Sequence, residues 1–192
     1  FPQGKKRARA YVLLQQEEST LLKGEGGLER FIGISVEAGV APSVFASCRA
    51  LGPLVSFVAD DSWIEMPYEA GVVLIGDAAG VSDPTWGMGL SLTFRDARIL
   101  RDCLDESDDW DTAARDYAAA HDDYFQTVIT AESWQADVLL ARGPDADALR
   151  ARVLPQWAQD PTRRLNLSGL GPRLDVSEEA RRRFFCEDVA GA

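Results

Sequence analysis

Histidine and cysteine are scarce in this sequence, and basic residues are outnumbered. Its 192 residues include one histidine, His121, and three cysteines, Cys48, Cys103 and Cys186. A single imidazole excludes a metal centre built on several histidines. The cysteines are odd in number, far apart and match no zinc or redox spacing, so they read as reduced thiols in a cytoplasmic protein. A Ser-His-Asp triad would depend on His121, which stands mid-helix among Ala and Asp and reads as a partly exposed helix residue. Lys and Arg number 20 against 31 Asp and Glu, and the net charge of −11 argues against nucleic acid and anionic membrane as partners. No apolar run has the length of a membrane span, and no signal peptide is visible.

What the chain does have is core-forming material. Apolar residues make up 46% of it, with 5 Trp and 8 Phe, enough for one large domain or one with a small appendage. Arg7 to Gln15 reads as a strand. The Lys5-Lys6-Arg7-Arg9 cluster beside it reads as its solvated end. Lys23 to Gly27 is a loop, and apolar spacing predicts a helix over Leu28–Val36. Ser43–Leu51 and Leu54–Val58 read as strands broken by Gly52-Pro53. Gly71–Ile75 is a continuous apolar run of the kind found in strands buried on both faces. Leu90, Phe94, Ala97, Leu100 and Leu104 form a helical stripe. The acidic run from 105 to 111 reads as a solvated connection and helix cap.

A long helix is expected from Thr112 to Arg142, with Tyr117, His121, Tyr124, Val128 and Leu139 near one face and Gly143-Pro144 as the stop. A shorter helix over Asp145–Gln159 is expected to break near Pro155. A last helical turn is expected over Ser177–Phe185, with Arg181, Arg182 and Arg183 as a solvated face complementing the helix dipole.

The stretch "GVVLIGDAAGVSDPTWGMGLSLTFRDARIL", Gly71 to Leu100, carries the chemistry. Strands in α/β sheets present ligand-binding groups at their carboxyl ends, and Asp77 stands at such an end. A carboxylate there can accept hydrogen bonds from the hydroxyls of a ribose. Gly87 and Gly89 remove side chains where the loop enters a helix, whose free N–H groups and positive dipole end suit phosphate or a developing anion. Pro84 stiffens the approach and Trp86 offers a flat apolar wall. Spacing alone is equally consistent with a tight strand-to-helix connection in which Asp77 is a cap.

The wording of the same stretch resembles the GD motif of FAD-dependent monooxygenases of the para-hydroxybenzoate hydroxylase type. Gly76-Asp77-Ala78-Ala79, Pro84, Gly87-Met88-Gly89 and Asp96-Ala97 match that pattern in order, and "FPQG" and "RRRFF" look like flanks of the second half of such enzymes. The resemblance implies an enzyme that uses FAD, NAD(P)H and O₂ to hydroxylate or epoxidise a small organic substrate. It implies that Asp77, next to Gly76 and Ala78, binds a ribose hydroxyl. Gly87, Met88, Gly89 and Leu90 would turn backbone N–H groups toward the pyrophosphate and the pyrimidine edge of the flavin, and Pro84 would lie beside the isoalloxazine.

Gly80 stands where the pattern has His, and Ser91 where it has Asn. Flavin-dependent reductases or halogenases of the same superfamily are therefore the alternative, and a non-catalytic fragment with a packing or association role is another. The chain opens on Phe1 and has no GxGxxG unit, so it reads as the C-terminal portion of a longer chain. The expected architecture is α/β (α+β mixed). Residues 1–70 are a remnant of a substrate-binding sheet domain, 71–104 the GD-motif part of an FAD-binding domain, and 105–192 a helical C-terminal region.

Overall fold

A computed structural model describes residues 1–15, 18 and 20–189. The chain divides into two compact units, Phe1–Val58 and Ala59–Ala192.

In the first unit, β1 (Pro2–Gly4) pairs antiparallel with β2 (Arg7–Ala8). The two loop residues, Lys5 and Lys6, have φ of 49° and 59°, the left-handed pair that a tight hairpin with right-handed strand twist requires. The expected strand over Arg7–Gln15 is thus only two residues long. Helix α1 (Gly27–Glu37) buries Phe31 and Ser35, and the Ser35 hydroxyl donates to the Phe31 carbonyl at 2.7 Å. The Arg30 guanidinium holds the preceding turn by donating to the carbonyls of Leu21 and Lys23. The strands expected at Ser43–Leu51 and Leu54–Val58 do not form. Pro42–Val44 is a single 3-10 turn, and Leu51, Val55, Phe57 and Val58 are exposed. A strand needs a ladder partner to satisfy its backbone, and among the described residues these segments have none.

The second unit is mostly helical. Two antiparallel ladders, each two residues a side, sit at its start: β3 (Ser62–Trp63) with β6 (Gly80–Val81), and β4 (Tyr68–Glu69) with β5 (Val72–Val73). The run Gly71–Ile75 is therefore not a strand buried on both faces. Val72 is 61% and Ile75 38% exposed.

Helix α2 (Gly89–Glu106) and helix α3 (Trp110–Leu139) follow, joined by three residues. So short a connection makes them antiparallel neighbours. Asp109 caps α3 by accepting from the Asp111 N–H at 3.1 Å. The buried side of α3 runs through Ala113, Tyr117, His121, Tyr124, Val128, Ala131 and Val138, steps of three, four and seven residues that keep one face inward. Leu139, expected on that face, is exposed.

Because α3 is 30 residues long, it spans two apolar clusters. The first gathers Met88, Leu92, Tyr124, Phe125, Val128, Leu167 and Leu174. The second gathers Trp134, Val138, Val153, Trp157, Phe184, Phe185 and Cys186, the residues from Val153 onward coming from α4 (Pro144–Gln159), α6 (Glu178–Phe184) and the turn after it. Helix α4 continues through Pro155. Val153 and Trp157, on either side of it, are both buried, and the burial of such side chains offsets a backbone hydrogen bond lost to proline. The Trp157 Nε1–H donates to the Phe184 carbonyl at 3.0 Å, joining α4 to α6. A short helix α5 (Leu167–Leu170) lies between them in sequence.

The arginines of α6 are not simply solvated. Arg181 pairs with Glu178 and Glu187, and Arg183 with Asp160. Ser177 caps α6 through the Ala180 N–H at 3.3 Å.

Candidate functional site

The segment from Gly76 to Leu90 crosses from β5 to α2 and is held from both sides. Gly76–Ala78 is one 3-10 turn. Gly76 has φ +59°, and a Cβ placed there would lie 2.9 Å from Thr93 Oγ1. The position demands glycine both for its left-handed backbone and for the approach of α2. The Thr93 hydroxyl in turn donates to the Gly89 carbonyl at 3.0 Å, so one α2 side chain bridges the turn and the helix start.

Asp96, one turn further along α2 and 1% exposed, accepts from the Gly76 N–H at 2.7 Å through Oδ2. Its Oδ1 accepts from the Tyr124 hydroxyl of α3. Burial raises the Asp96 carboxyl above its ordinary value, while the Gly76 N–H, His121 and Arg95 pull the other way.

These contacts leave Asp77 exposed, with its Oδ1 3.8 Å from where a Cβ of Gly89 would stand. The carboxylate therefore lies beside the N-terminus of α2. The backbone bond closing that end runs from the Leu92 N–H to the Met88 carbonyl at 3.0 Å. The N-cap residue Met88 makes no side-chain cap hydrogen bond, so among the described residues the N–H groups of the first three helical residues lack a capping partner. Gly87 has φ +70°, and nothing lies within 4 Å of where its Cβ would be. Among the described residues Asp77 makes no cap hydrogen bond, and the space beside Gly87 is open.

The structure thus brings Gly76, Asp77, Gly89 and the start of α2 at Leu90 together. Ala78 is exposed on the same turn, and Leu90 is 69% exposed. The Met88 side chain is buried in the first apolar cluster, leaving only its backbone at the helix start. Pro84 is exposed within a separate turn, where the Gly87 N–H donates to its carbonyl at 3.2 Å.

That turn is anchored by acids. The Ser82 hydroxyl donates to Glu132 Oε1 at 2.7 Å, the Asp83 N–H to Asp61 at 2.6 Å, and the Thr85 N–H to Asp83 at 2.8 Å. Glu132 is 1% exposed. Burial, reinforced by the negative charges of Asp61 and Asp83 and opposed by the Ser82 hydroxyl, pushes its carboxyl up to about 8. Asp61 is also raised, chiefly by burial.

Gly80, where the resembled pattern has His, is filled by its surroundings. A Cβ there would fall 2.6 Å from the ring of Phe125, itself 1% exposed.

His121 is fully buried rather than partly exposed. It stacks on Phe125 with ring centroids 5.2 Å apart and meets Tyr124 edge-on at 5.3 Å. Neither ring nitrogen has a hydrogen-bond partner, and Asp122 Oδ1 stands 3.7 Å from Nδ1. It faces aromatic packing.

The apolar stripe of α2 is also reassigned. Leu90, Phe94, Ala97 and Leu104 are exposed, while Leu92 and Asp96 are buried. Sequence reasoning missed the roles of Thr93, Asp96, Tyr124, Asp61 and Glu132. The available signal was Asp96 itself, an acid four residues after an apolar residue and hence on the same helix face.

Over 114 residues the chain is 37% identical to a kynurenine 3-monooxygenase of Salinispora tropica, a match covering 55% of this chain and 24% of that protein. The chain thus spans about a quarter of the length of this curated relative. No family model matches the chain, and no solved structure matches it significantly. At a coarse level the chain is related to a monooxygenase. No helix among the described residues is long and apolar enough to cross a membrane.

Proposed function

We infer that this chain is the C-terminal portion of an FAD-dependent monooxygenase of the para-hydroxybenzoate hydroxylase type, and that Asp77 and the entrance of α2 form one half of its flavin site. The observation that carries this reading is the exposed Asp77 carboxylate beside an uncapped helix N-terminus, with glycines at positions 87 and 89 leaving the approach free. Similarity to a kynurenine 3-monooxygenase supports the reaction class.

In this reading residues 1–70 belong to a substrate-binding sheet domain, 71–104 to the FAD-binding domain, and 105–192 to a helical region. The dinucleotide cradle is completed by a further, N-terminal portion of the same protein. Asp77 accepts hydrogen bonds from the ribose. The N–H groups at the start of α2 face the anionic part of the ligand, favoured by the helix dipole. Pro84 and Trp86, the latter packed against the first apolar cluster, would supply apolar surface to a bound flavin. Bound flavin supplies the electron transfer from NAD(P)H to O₂ on which oxidation of a small organic substrate depends.

A second reading, a flavin-dependent reductase or halogenase, is favoured by Gly80. The ring of Phe125 occupies the space that a histidine side chain would need. Purification of the full-length protein tests both readings. Flavin absorbance that survives desalting, with NAD(P)H-dependent oxygen consumption accelerated by substrate, is expected of the monooxygenase. Flavin without oxygen consumption favours a reductase, substrate-dependent halide incorporation favours a halogenase, and absence of flavin refutes both readings.

A further inference from the structure

The contacts behind the Gly76–Ala78 turn do not touch the ligand face. They run from α3 through α2 to the backbone: the Tyr124 hydroxyl donates to Asp96, and Asp96 accepts from the Gly76 N–H at 2.7 Å. Both side chains are at least 97% buried, so water does not substitute for either bond. The Arg95 guanidinium lies 4.8 Å over the Tyr124 ring, and His121 meets its edge at 5.3 Å. The tyrosine thus has little freedom to swing away.

Gly76 is the residue immediately before Asp77, and its left-handed φ of +59° sets the direction in which the chain leaves the turn. Thr93 blocks the space over Gly76 from the same helix. Any rotation of this peptide moves the Asp77 carboxylate relative to Gly89.

We propose that Tyr124 and Asp96 are positioning residues for the ligand site: through the Gly76 N–H they hold the turn so that Asp77 stands beside the open N-terminus of α2, and they thereby set the affinity for a ribose-bearing dinucleotide. The proposal rests on the flavin reading above and adds a role for two residues on the far side of the turn. An acceptor held at fixed geometry loses less freedom on binding than one that must be ordered, so loosening the turn costs affinity even with Asp77 intact.

A double-mutant cycle on the full-length protein tests this, with FAD affinity measured by fluorescence titration and folding followed by thermal unfolding of the apoprotein. Asp77→Ala is expected to weaken FAD by about 5- to 100-fold, as for a lost hydrogen-bonding group. Tyr124→Phe, which removes one hydroxyl, is expected to weaken FAD about 5-fold or more. In the Asp77→Ala background it should have no further effect on affinity. Asp96→Asn, which replaces the carboxylate acceptor by an amide, should follow the same pattern and carries the test if Tyr124→Phe does not fold. A lowered unfolding temperature with unchanged FAD affinity in Tyr124→Phe or Asp96→Asn would overturn the positioning role. So would losses that simply multiply with that of Asp77→Ala. Either result leaves the flavin reading standing, provided Asp77→Ala itself weakens binding. If Asp77→Ala leaves affinity unchanged, or the wild-type protein binds no FAD, the flavin reading falls and the positioning role with it.

Discussion

Replacing Glu132 by glutamine isolates the consequence of burying an acid beneath the 82–85 turn. Glu132 is 1% exposed, accepts from Ser82 at 2.7 Å, and has Asp61 and Asp83 as charged neighbours. Its carboxyl is pushed from 4.5 in the unfolded chain up to about 8, so the folded protein holds a proton that the unfolded chain has released. The proton belongs to the pair with Asp61, which is raised as well.

The native state binds more protons between those two values, so stability must fall as pH rises through that window. The contribution is fully present below 4.5 and fully lost above about 8. Within the window the slope approaches about 1.4 kcal/mol per pH unit. Ionising the acid in place therefore costs on the order of a few kcal/mol. For a chain of this size each kcal/mol moves the thermal midpoint by about 2–4 °C, so the drop between pH 5 and pH 8 is roughly 10 °C. A glutamine side chain keeps the shape and an acceptor for Ser82 but cannot ionise.

Differential scanning fluorimetry across pH 5–9 is the assay, reading the difference between wild type and Glu132→Gln. The variant should gain relative stability as pH rises to about 8 and level off above it. Parallel pH profiles would refute the buried-acid assignment.

Gly80→Ala should cost about 1–3 kcal/mol in urea unfolding, because its Cβ would press into the buried Phe125 ring at 2.6 Å. The loss should shrink in a Phe125→Leu background, and additive losses would contradict the contact. His121→Phe should change stability by less than about 1 kcal/mol, or stabilise, since the imidazole sits among aromatic rings with both nitrogens unpartnered. A loss of several kcal/mol would show a hydrogen bond that the present geometry lacks. Trp157→Phe should destabilise by about 1–2 kcal/mol through loss of the bond to the Phe184 carbonyl, measured by chemical denaturation. An unchanged midpoint would contradict that bond.

Helices were the legible part of this chain. The spacing around Phe31, the acidic run from 105 to 111, the start at Ser177 and the run from Tyr117 to Val128 each marked a helix that the structure contains. Orientation was harder. In α2 the more numerous apolar residues Leu90, Phe94 and Leu104, at helical spacing, outweighed Leu92 in the sequence pattern, although the buried face is the one carrying Asp96. An acid on a buried face reads as polar unless its partners are known, and Gly76 and Tyr124 are distant in sequence. His121 was misjudged for a related reason: its sequence neighbours are Ala and Asp, but its neighbours on the helix face are Tyr117, Tyr124 and Phe125. The strands expected over 43–58 had suitable residues and no partner, a fact that no local pattern carries. Asp77, Gly87 and Gly89 could be singled out because a carboxylate after an apolar run and two glycines before a helix follow one another within a short segment, while Gly76 came with the family resemblance. The union of Asp61, Ser82 and Glu132 depends on tertiary contact and left no such trace.

Gly89→Val in the full-length protein tests the flavin site most directly. Only Asp77 Oδ1, at 3.8 Å, lies near the Cβ position of Gly89, and its φ is not left-handed, so the fold should accept the new side chain with little change in thermal midpoint. FAD titration is predicted to show binding lost or weakened by at least about 100-fold, because the valine occupies the space through which the ligand reaches the helix N-terminus. Wild-type affinity in a folded Gly89→Val protein would contradict the placement of the flavin between Asp77 and α2.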